Sequence, residues 1–278
     1  MSASLEIDSE FTIQVLTRFI QIEVTKVGLK NALLGLSGGV DSAAAAFLCA
    51  RALGPEHVWG VMMPYRTSAP ESLEDARKVV QATGIQSREI DITPMVDAYF
   101  DPARWSGTEA SMVRRGNKMA RERMSILYDL SAELSALVVG TSNKTEILLG
   151  YGTIYGDMAS ALNPLGDLYK TQVKQAARAL GVPENIIQKQ PSADLWQGQT
   201  DEGELGVTYA EADKLLYHLI DERASKKELI TLGFEEKRVR EVTERVRRMQ
   251  FKRKPPLIAK VSRRTVDYDF QYARDWGA

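Results

Sequence analysis

Cysteine and histidine are scarce in this sequence, which has 1 cysteine and 2 histidines among 278 residues. A single cysteine excludes an internal disulfide, and without a Cys-x-x-Cys pair we expect no thiolate-bound zinc or iron–sulfur site. Cys49 lies in the apolar run AAAAFLCARAL, so we interpret it as a small buried side chain. His57 and His218 have no catalytic motif around them. A built-in Cys–His amidase is therefore not expected.

Long apolar runs and a strong net charge are also missing. No run approaches the roughly 18 residues that span a bilayer, and the start MSASLEIDSEFT has no basic segment followed by an apolar one. Lys plus Arg number 36 and Asp plus Glu 37, giving a net charge of −1, and the pI is near 6.2. This balance argues against a general affinity for nucleic acid or anionic membranes. We expect a cytoplasmic protein that binds neither.

The first two thirds of the chain alternate helical patterns with short apolar runs, as in a parallel sheet flanked by helices. The predicted strands are 32–36, 57–63, 87–92 and 136–140, and the predicted helices include 40–53 and 73–82. Beyond them the apolar period becomes helical only. Since no internal repeat or linker interrupts the chain, we predict one domain over residues 1–278. Its α/β core covers about 30–190 and its helical C-terminal part about 207–250.

The stretch LGLSGGVDS, residues 34–42, follows the first predicted strand and opens a helix. A glycine-rich turn in that position exposes backbone N–H groups, and a helix N-terminus favours an anion. The stretch lacks the Walker A lysine, and its glycines do not fit GxGxxG. Asp41 would repel a phosphate unless a divalent cation lay between them, so it predicts Mg²⁺. The alternative is that Asp41 and Ser42 simply suit the first turn of a helix.

Further polar clusters follow the predicted sheet. GTSNKTE, residues 140–146, comes after the fourth predicted strand, at the edge where ligands of parallel sheets gather. Glu146 would complete a magnesium site with Asp41, although Asn143 and Glu146 also fit a simple capping pair. Lys170 precedes an apolar helical stripe and could equally be an ordinary exposed lysine.

Residues 37–42, SGGVDS, match the SGGxDS loop of the PP-loop ATP pyrophosphatases. The later segments GTSNKTE, GYGTIYGD, NPLGDLYKTQ, QPSADLW and QTDEGELG, in this order, closely resemble the NAD synthetases, and the likeness runs from about residue 30 to Arg264. The resemblance implies a Rossmann-like adenine-nucleotide α-hydrolase fold and a homodimer. It also implies an activity: ATP adenylates the nicotinate carboxylate of deamido-NAD, and ammonia then displaces AMP to give NAD, with diphosphate as the other product.

The resemblance also implies roles for individual residues. It places around ATP the residues Gly35, Leu36, Ser37, Gly38, Gly39, Val40, Asp41, Ser42, Thr141, Lys170 and Ser192. Asp41 and Lys170 would be catalytic, and Asp41 with Glu146 would bind Mg²⁺. Deamido-NAD would be contacted by Asn117, Arg121 and Lys252, with a solvated charged helix as the alternative for Arg121.

Two residues used by many ammonia-dependent relatives are absent, since Ile154 and Ala161 stand where those have Lys and Asp. The segment TIYGDM is more like the synthetase portion of the glutamine-dependent enzymes. Free ammonia is the simpler nitrogen source, and delivery by a separate glutaminase is the alternative. Two rival functions are a PP-loop tRNA modifier, which the low pI and lone cysteine disfavour, and a nucleotide-binding regulator without turnover, which would not need Asp41, Glu146 and Lys170.

Overall fold

The computed structural model describes residues 5–101, 111–196, 198–254, 256–266 and 268–270, so both ends of the predicted domain, 1–4 and 271–278, lie outside the described residues. Within these ranges four parallel strands form one sheet in the order β3-β2-β1-β4. The strands are β1 (Asn31–Gly35), β2 (Val58–Met62), β3 (Gln86–Glu89) and β4 (Ala136–Val138). The predicted parallel sheet is confirmed.

Helices cover both faces of this sheet. They are α1 (Ser9–Lys26), α2 (Val40–Leu53), α3 (Pro70–Thr83), α4 (Thr93–Tyr99), α5 (Met112–Leu134), α6 (Lys144–Leu149), α7 (Lys170–Leu180), α8 (Glu184–Gln188), α9 (Asp201–Leu205), α10 (Tyr209–Leu216), α11 (Lys226–Thr231) and α12 (Glu236–Arg248). No helix in the described ranges combines the length and the apolar character that crossing a membrane requires.

The strand boundaries follow from burial. β1 is apolar and buried through Ala32, Leu33 and Leu34 because helices cover it on both sides. The edge strand β3 reads QSRE, and only one of its four side chains is half-buried while the others are exposed. The predicted strand 87–92 is too long, although Ile90 N–H still donates to the Met62 carbonyl (2.9 Å) beyond the regular ladder.

The core has one cluster on each face of the sheet. α1, α2, α3 and α7 pack on one face around the alanines of α2, whose small side chains let the helices approach β1 closely. α4 and α5 cover the other face. The C-terminal helices α10, α11 and α12 form a third cluster with Leu149 and Tyr169, as expected for a helical extension.

The order of the strands opens a crevice above β1. The chain steps outward from β1 to β2 and β3, then returns through α4 and α5 to place β4 on the opposite side of β1. Loops that leave the carboxyl ends of β1 and β4 therefore diverge, and ligands of open α/β sheets bind at such a switch point. The turn at 36–39 and the loop at 139–143 border this crevice.

Candidate active site

The turn between β1 and α2 is held by its own small side chains. The Ser42 hydroxyl donates to the Gly39 carbonyl (3.0 Å) and accepts from the Ser37 N–H (3.2 Å). Gly38 has φ +75°, and a Cβ there would stand 2.1 Å from the Ser72 carbonyl oxygen, so both conformation and space require glycine. The turn leads into the first N–H groups of α2, which no side chain caps at Gly39. These N–H groups remain available to an anion.

A buried ion cluster lies beside this turn. Lys170 is 3% exposed, and its ammonium donates to Asp41 Oδ2 at 2.5 Å and to Glu146 Oε1 at 3.3 Å. The same ammonium lies 4.9 Å from the centre of the Tyr209 ring. Asp41, Glu146 and Lys170 stand in the first turns of α2, α6 and α7, so three helix starts converge at the crevice. The exposed alternative for Lys170 is wrong.

Glu146 makes a cap and an ion pair at once. Its Oε2 accepts from the Asn143 N–H (3.3 Å) while the Asn143 side chain accepts from the Glu146 N–H (3.0 Å), which completes a capping box. Oε1 is left for the Lys170 ammonium. Asn143 also donates through Nδ2 to Asp41 Oδ1 (2.9 Å). Glu146 can therefore cap α6 and also pair with Asp41 around one cation, because the two roles use different oxygens of its carboxylate.

Burial sets the charge of this cluster. Burial is the largest cause that raises the pKa of Glu146, to about 8; the charge of Asp41 adds to it, and Lys170 opposes it. Burial alone would lower the pKa of Lys170, but the carboxylates of Asp41 and Glu146 outweigh it, so the pKa is raised and the ammonium stays charged. Near neutral pH one lysine cation thus contacts two carboxyl groups, and one of them, that of Glu146, tends to be protonated.

A chain of tyrosines and carboxylates extends from Glu146, and none of the residues added by this chain has a predicted role. The Tyr209 hydroxyl lies 3.1 Å from Asp201 Oδ2 and 3.4 Å from Glu146 Oε1. The Tyr151 hydroxyl lies 2.8 Å from both Asp201 Oδ1 and Glu204 Oε2. Burial raises the pKa of Asp201. The acidic run DEGE at 201–204 was the available signal, whereas Tyr209 looks like a core residue in its apolar helix.

The turn and the ion cluster line a cavity of about 960 Å³, a size that suits a nucleotide. Most of the predicted ATP contacts line it: Gly35, Leu36, Ser37, Gly39, Val40, Asp41, Ser42, Thr141, Lys170 and Ser192. Asn117, Glu146 and Lys252 line it as well. Gly38 and Arg121 are not among the lining residues. Arg121 is exposed, and its Nε donates to the Ile154 carbonyl (3.2 Å).

Another wall of the cavity is built on residues 150–157. The Lys252 ammonium donates to two carbonyls of this segment, those of Gly150 (2.8 Å) and Gly152 (2.7 Å). Asn117 Oδ1 accepts from a hydroxyl of the segment at 2.8 Å. Asp157, which has no predicted role, also lines the cavity, and burial raises the pKa of its carboxyl. Residues from α5 and from the C-terminal part of the chain thus fix the carbonyls and side chains of the segment 150–157.

The remaining wall comes from the loop that carries Ser192. The Ser192 hydroxyl donates to a carbonyl seven residues further along the same loop (2.8 Å). Asp194 accepts from the Ala69 N–H (3.0 Å), which ties this loop to the start of α3. Arg123, a further residue without a predicted role, lines the cavity, and its Nε donates to the Met63 carbonyl (3.0 Å). Burial lowers the pKa of its guanidinium.

Cys49 is buried, as predicted, and the two histidines make hydrogen bonds away from the cavity. Cys49 is fully buried, and burial raises the pKa of its thiol to about 12. His57 Nδ1 lies 2.9 Å from Asn31 Oδ1, and His218 Nδ1 lies 2.5 Å from Glu222 Oε2. None of these three residues lines the cavity.

The cavity's carboxylates fit a metal that is shared with phosphates. Among the residues that the structure describes, no group of three or more His, Cys, Asp or Glu side chains is arranged to hold a metal ion. Mg²⁺ in nucleotide sites needs only one or two protein carboxylates, because phosphate oxygens and water supply its other ligands. Asp41 and Glu146 both reach one Lys170 ammonium, so the two carboxylates are close enough to share a cation.

Known proteins resemble this chain over nearly its whole length. The family model described as NAD synthase matches residues 12–256. An NH(3)-dependent NAD(+) synthetase of Trichlorobacter lovleyi is 58% identical over 273 residues, 98% of this chain and 98% of the relative. The structure of an NH3-dependent NAD synthetase from Campylobacter jejuni has TM-score 0.77 and 35% identity, covering 92% of this chain and 100% of that one. An NMN synthetase structure from Francisella tularensis has TM-score 0.81 and 32% identity, covering 91% and 99%.

Proposed function

The chain belongs to the NAD synthase family, and we propose that the cavity above β1 is where it activates its substrate. The protein is a ligase that amidates deamido-NAD with ammonia in an ATP-dependent reaction. The products are NAD, AMP and diphosphate, and the intermediate is the adenylated nicotinate.

Adenylation is needed because a carboxylate is a poor electrophile, since delocalised negative charge shields its carbon. A nicotinate oxygen attacks the α-phosphorus of ATP, and the bridging P–O bond to the β-phosphate breaks, its electron pair leaving with diphosphate. Ammonia then attacks the carbonyl carbon, and AMP leaves with the electrons of the acyl–oxygen bond. The first step develops negative charge on the departing diphosphate, so fixed positive groups at that end stabilise its transition state.

We assign the departing diphosphate to the turn at residues 37–42. The observation that carries this assignment is the buried Lys170 ammonium, 2.5 Å from Asp41 at the start of α2. Lys170 stays charged and contacts Asp41 in the first turn of α2, where its ammonium would offset the charge of a leaving phosphate. Asp41 and Glu146 would hold Mg²⁺, which neutralises phosphate charge as a Lewis acid when bound.

The other predicted contacts divide between the remaining walls. Thr141 and Ser192 line the cavity on the loops after β4 and before α9, where we propose that they contact ATP. Asn117 and Lys252 both contact the wall built by residues 150–157, and we propose that deamido-NAD binds against this wall. Arg121 stands one helical turn beyond Asn117 on α5, at the rim of this wall, from which its long side chain can reach a bound dinucleotide.

Free ammonia is the nitrogen source that we propose, in line with the names of the relatives, which are NH3-dependent synthetases. Delivery of ammonia by a separate glutaminase is the alternative, and a homodimer and a cytoplasmic location remain predictions from the sequence. A nitrogen-source assay and the mass of the protein in solution test the first two directly.

The decisive assay incubates pure protein with deamido-NAD, ATP, Mg²⁺ and ammonium, and measures the nucleotides formed. AMP and NAD should appear in equal amounts, because each amide formed consumes one adenylate. Formation of ADP, or of no AMP, contradicts the proposal. Glutamine replaces ammonium in a parallel reaction, and equal rates there would contradict free ammonia as the source.

Two further arms address other functions. Nicotinic acid mononucleotide replaces deamido-NAD in one arm, because the Francisella tularensis neighbour is an NMN synthetase; a faster rate with the mononucleotide would move the assignment to that substrate. Bulk tRNA replaces the acceptor in the other arm, and AMP release that depends on tRNA would favour the tRNA modifier. A regulator without turnover would bind ATP and release no AMP in any arm.

A further inference from the structure

Lys189 lines the cavity near the glycine turn, and its partners differ from those of Lys170. It follows α8 directly and lines the same cavity as Ser37 and Gly39. Its ammonium lies 3.2 Å from Ser72 Oγ and 3.1 Å from Asp75 Oδ2. Its side chain is 30% exposed, and the cavity provides open space into which the amine can turn.

Ser72 connects this lysine to the turn itself. The Ser72 carbonyl lies so close to Gly38 that a Cβ on that glycine would stand 2.1 Å from it. The hydroxyl of the same serine contacts the Lys189 ammonium. One residue therefore separates the ammonium from the glycine turn, although Lys189 is about 150 positions away in the sequence and carries no sequence motif that marks it.

Asp75 has partners other than Lys189 for its negative charge. This buried carboxylate also accepts from the Lys78 ammonium (2.8 Å) and from Asn185 Nδ2 (2.9 Å), both through Oδ1. If the Lys189 ammonium left Oδ2, Asp75 would keep one ion pair and one hydrogen bond. The buried charge would not be left uncompensated, which is the situation that makes breaking most buried ion pairs costly.

We propose that Lys189 is a second phosphate-binding lysine, whose ammonium turns from Asp75 onto the β- and γ-phosphates of ATP and onto the diphosphate product. The proposal rests on the proposed function of the cavity. Lys189 transfers no proton. Its ammonium adds a second point charge to that of Lys170 as the bridging P–O bond breaks and its electron pair moves to diphosphate.

The negative charge of the cavity and of ATP explains why a second lysine is needed near the turn. Six carboxyl groups line the cavity, those of Asp41, Glu146, Asp157, Asp194, Asp201 and Glu204. The triphosphate of ATP is itself strongly anionic. The glycine turn has no lysine of its own. Lys189 provides the cation that phosphate loops of the Walker type carry within the loop.

The test compares Lys189→Ala with a matched control, Lys78→Ala. Each variant removes one ammonium from Asp75, but Lys78 does not line the cavity. Calorimetric titration with inorganic diphosphate and Mg²⁺ should show a dissociation constant raised roughly tenfold to hundredfold in Lys189→Ala and unchanged in Lys78→Ala. Lys189→Arg should recover part of the affinity. Equal affinities in both alanine variants would overturn the proposal and leave Lys189 as a partner of Asp75 only.

A second measurement uses the wild-type protein and needs no variant to fold. An amine-acetylating reagent is applied with and without diphosphate, and each lysine is quantified by mass spectrometry. Diphosphate should protect Lys189 and leave the labelling of Lys78 unchanged; no protection of Lys189 would contradict the proposal. Because neither test requires amide formation, a failure of the amidation assay and a failure at Lys189 are distinguishable.

Discussion

Glu146→Gln should remove one pH-dependent contribution to the stability of the protein. In the free protein, burial raises the pKa of Glu146 from 4.5 to about 8. A carboxyl whose pKa is higher in the folded state holds a proton that the unfolded chain has released. Between these two pH values the free energy of unfolding therefore falls as the pH rises. Glutamine resembles the protonated acid in shape and still accepts from Asn143 as a capping residue.

The size of the effect follows from the same pKa values. Each pH unit between 4.5 and about 8 corresponds to about 1.4 kcal/mol, which sets a ceiling of about 5 kcal/mol. The Glu146 side chain is 15% exposed, and water reduces the penalty, so we expect about 2–4 kcal/mol. The variant should match the wild type near pH 5 and exceed its stability by this amount above pH 8.

Urea unfolding of both proteins from pH 5 to pH 8.5 measures this difference. Glu74→Gln, which changes an exposed glutamate on α3, serves as the control and should keep a constant difference from the wild type. A constant difference for Glu146→Gln as well would refute the reasoning. Mg²⁺ with ATP should reverse the trend in the wild type, because a metal binds the ionised carboxylate and its affinity rises with pH up to about 8.

Three further predictions concern the turn and the core. Asp41→Asn should keep the circular dichroism of the wild type and lower kcat roughly 100-fold or more, because Lys170 and Mg²⁺ lose their shared carboxylate; an unchanged rate of AMP release would contradict the magnesium assignment. Gly38→Ala should cost at least about 3 kcal/mol in unfolding experiments, through positive φ and collision with a backbone carbonyl. Gly28→Ala has φ +77° with open space around it and should cost about 1 kcal/mol; similar losses at both would rule out the collision. Cys49, with its pKa near 12, should react with an aromatic disulfide only as fast as the protein unfolds, and rapid labelling of the native protein would disprove its burial.

Local patterns were enough to predict the sheet and the turn. The buried strand β1 and the helix α2 were found within one residue, because apolar runs and glycine act over a few neighbouring positions. The start of α3 was placed three residues late, since Pro70 at the first helical position gives no apolar signal. Phe11, Val15, Phe19 and Ile22 recur at helical spacing in α1, yet most of this stripe is exposed, and Ile13, Ile20 and Val24 face the core instead.

The sequence predicted which residues form the ion cluster but not how they are arranged. SGGVDS and GTSNKTE identify Asp41 and Glu146 through a family resemblance, whereas the burial of Lys170 depends on how α7 meets α2 and α6. Tyr209 and Lys189 were missed for the same reason. Each stands beside its partners only after helices distant in sequence have packed, and single-sequence patterns do not carry that information.

The ion cluster joins parts of the chain that are far apart in sequence. Lys170 is 129 positions from Asp41, and Asn143 is 102 positions from it. Loops of this size close only when the whole sheet is assembled, so a partly synthesised or partly unfolded chain has no binding site to offer. ATP therefore selects the complete native state and protects it by mass action. We expect energy depletion to shorten the lifetime of this enzyme as well as to slow its turnover, which would link the abundance of an NAD-forming catalyst to the supply of ATP.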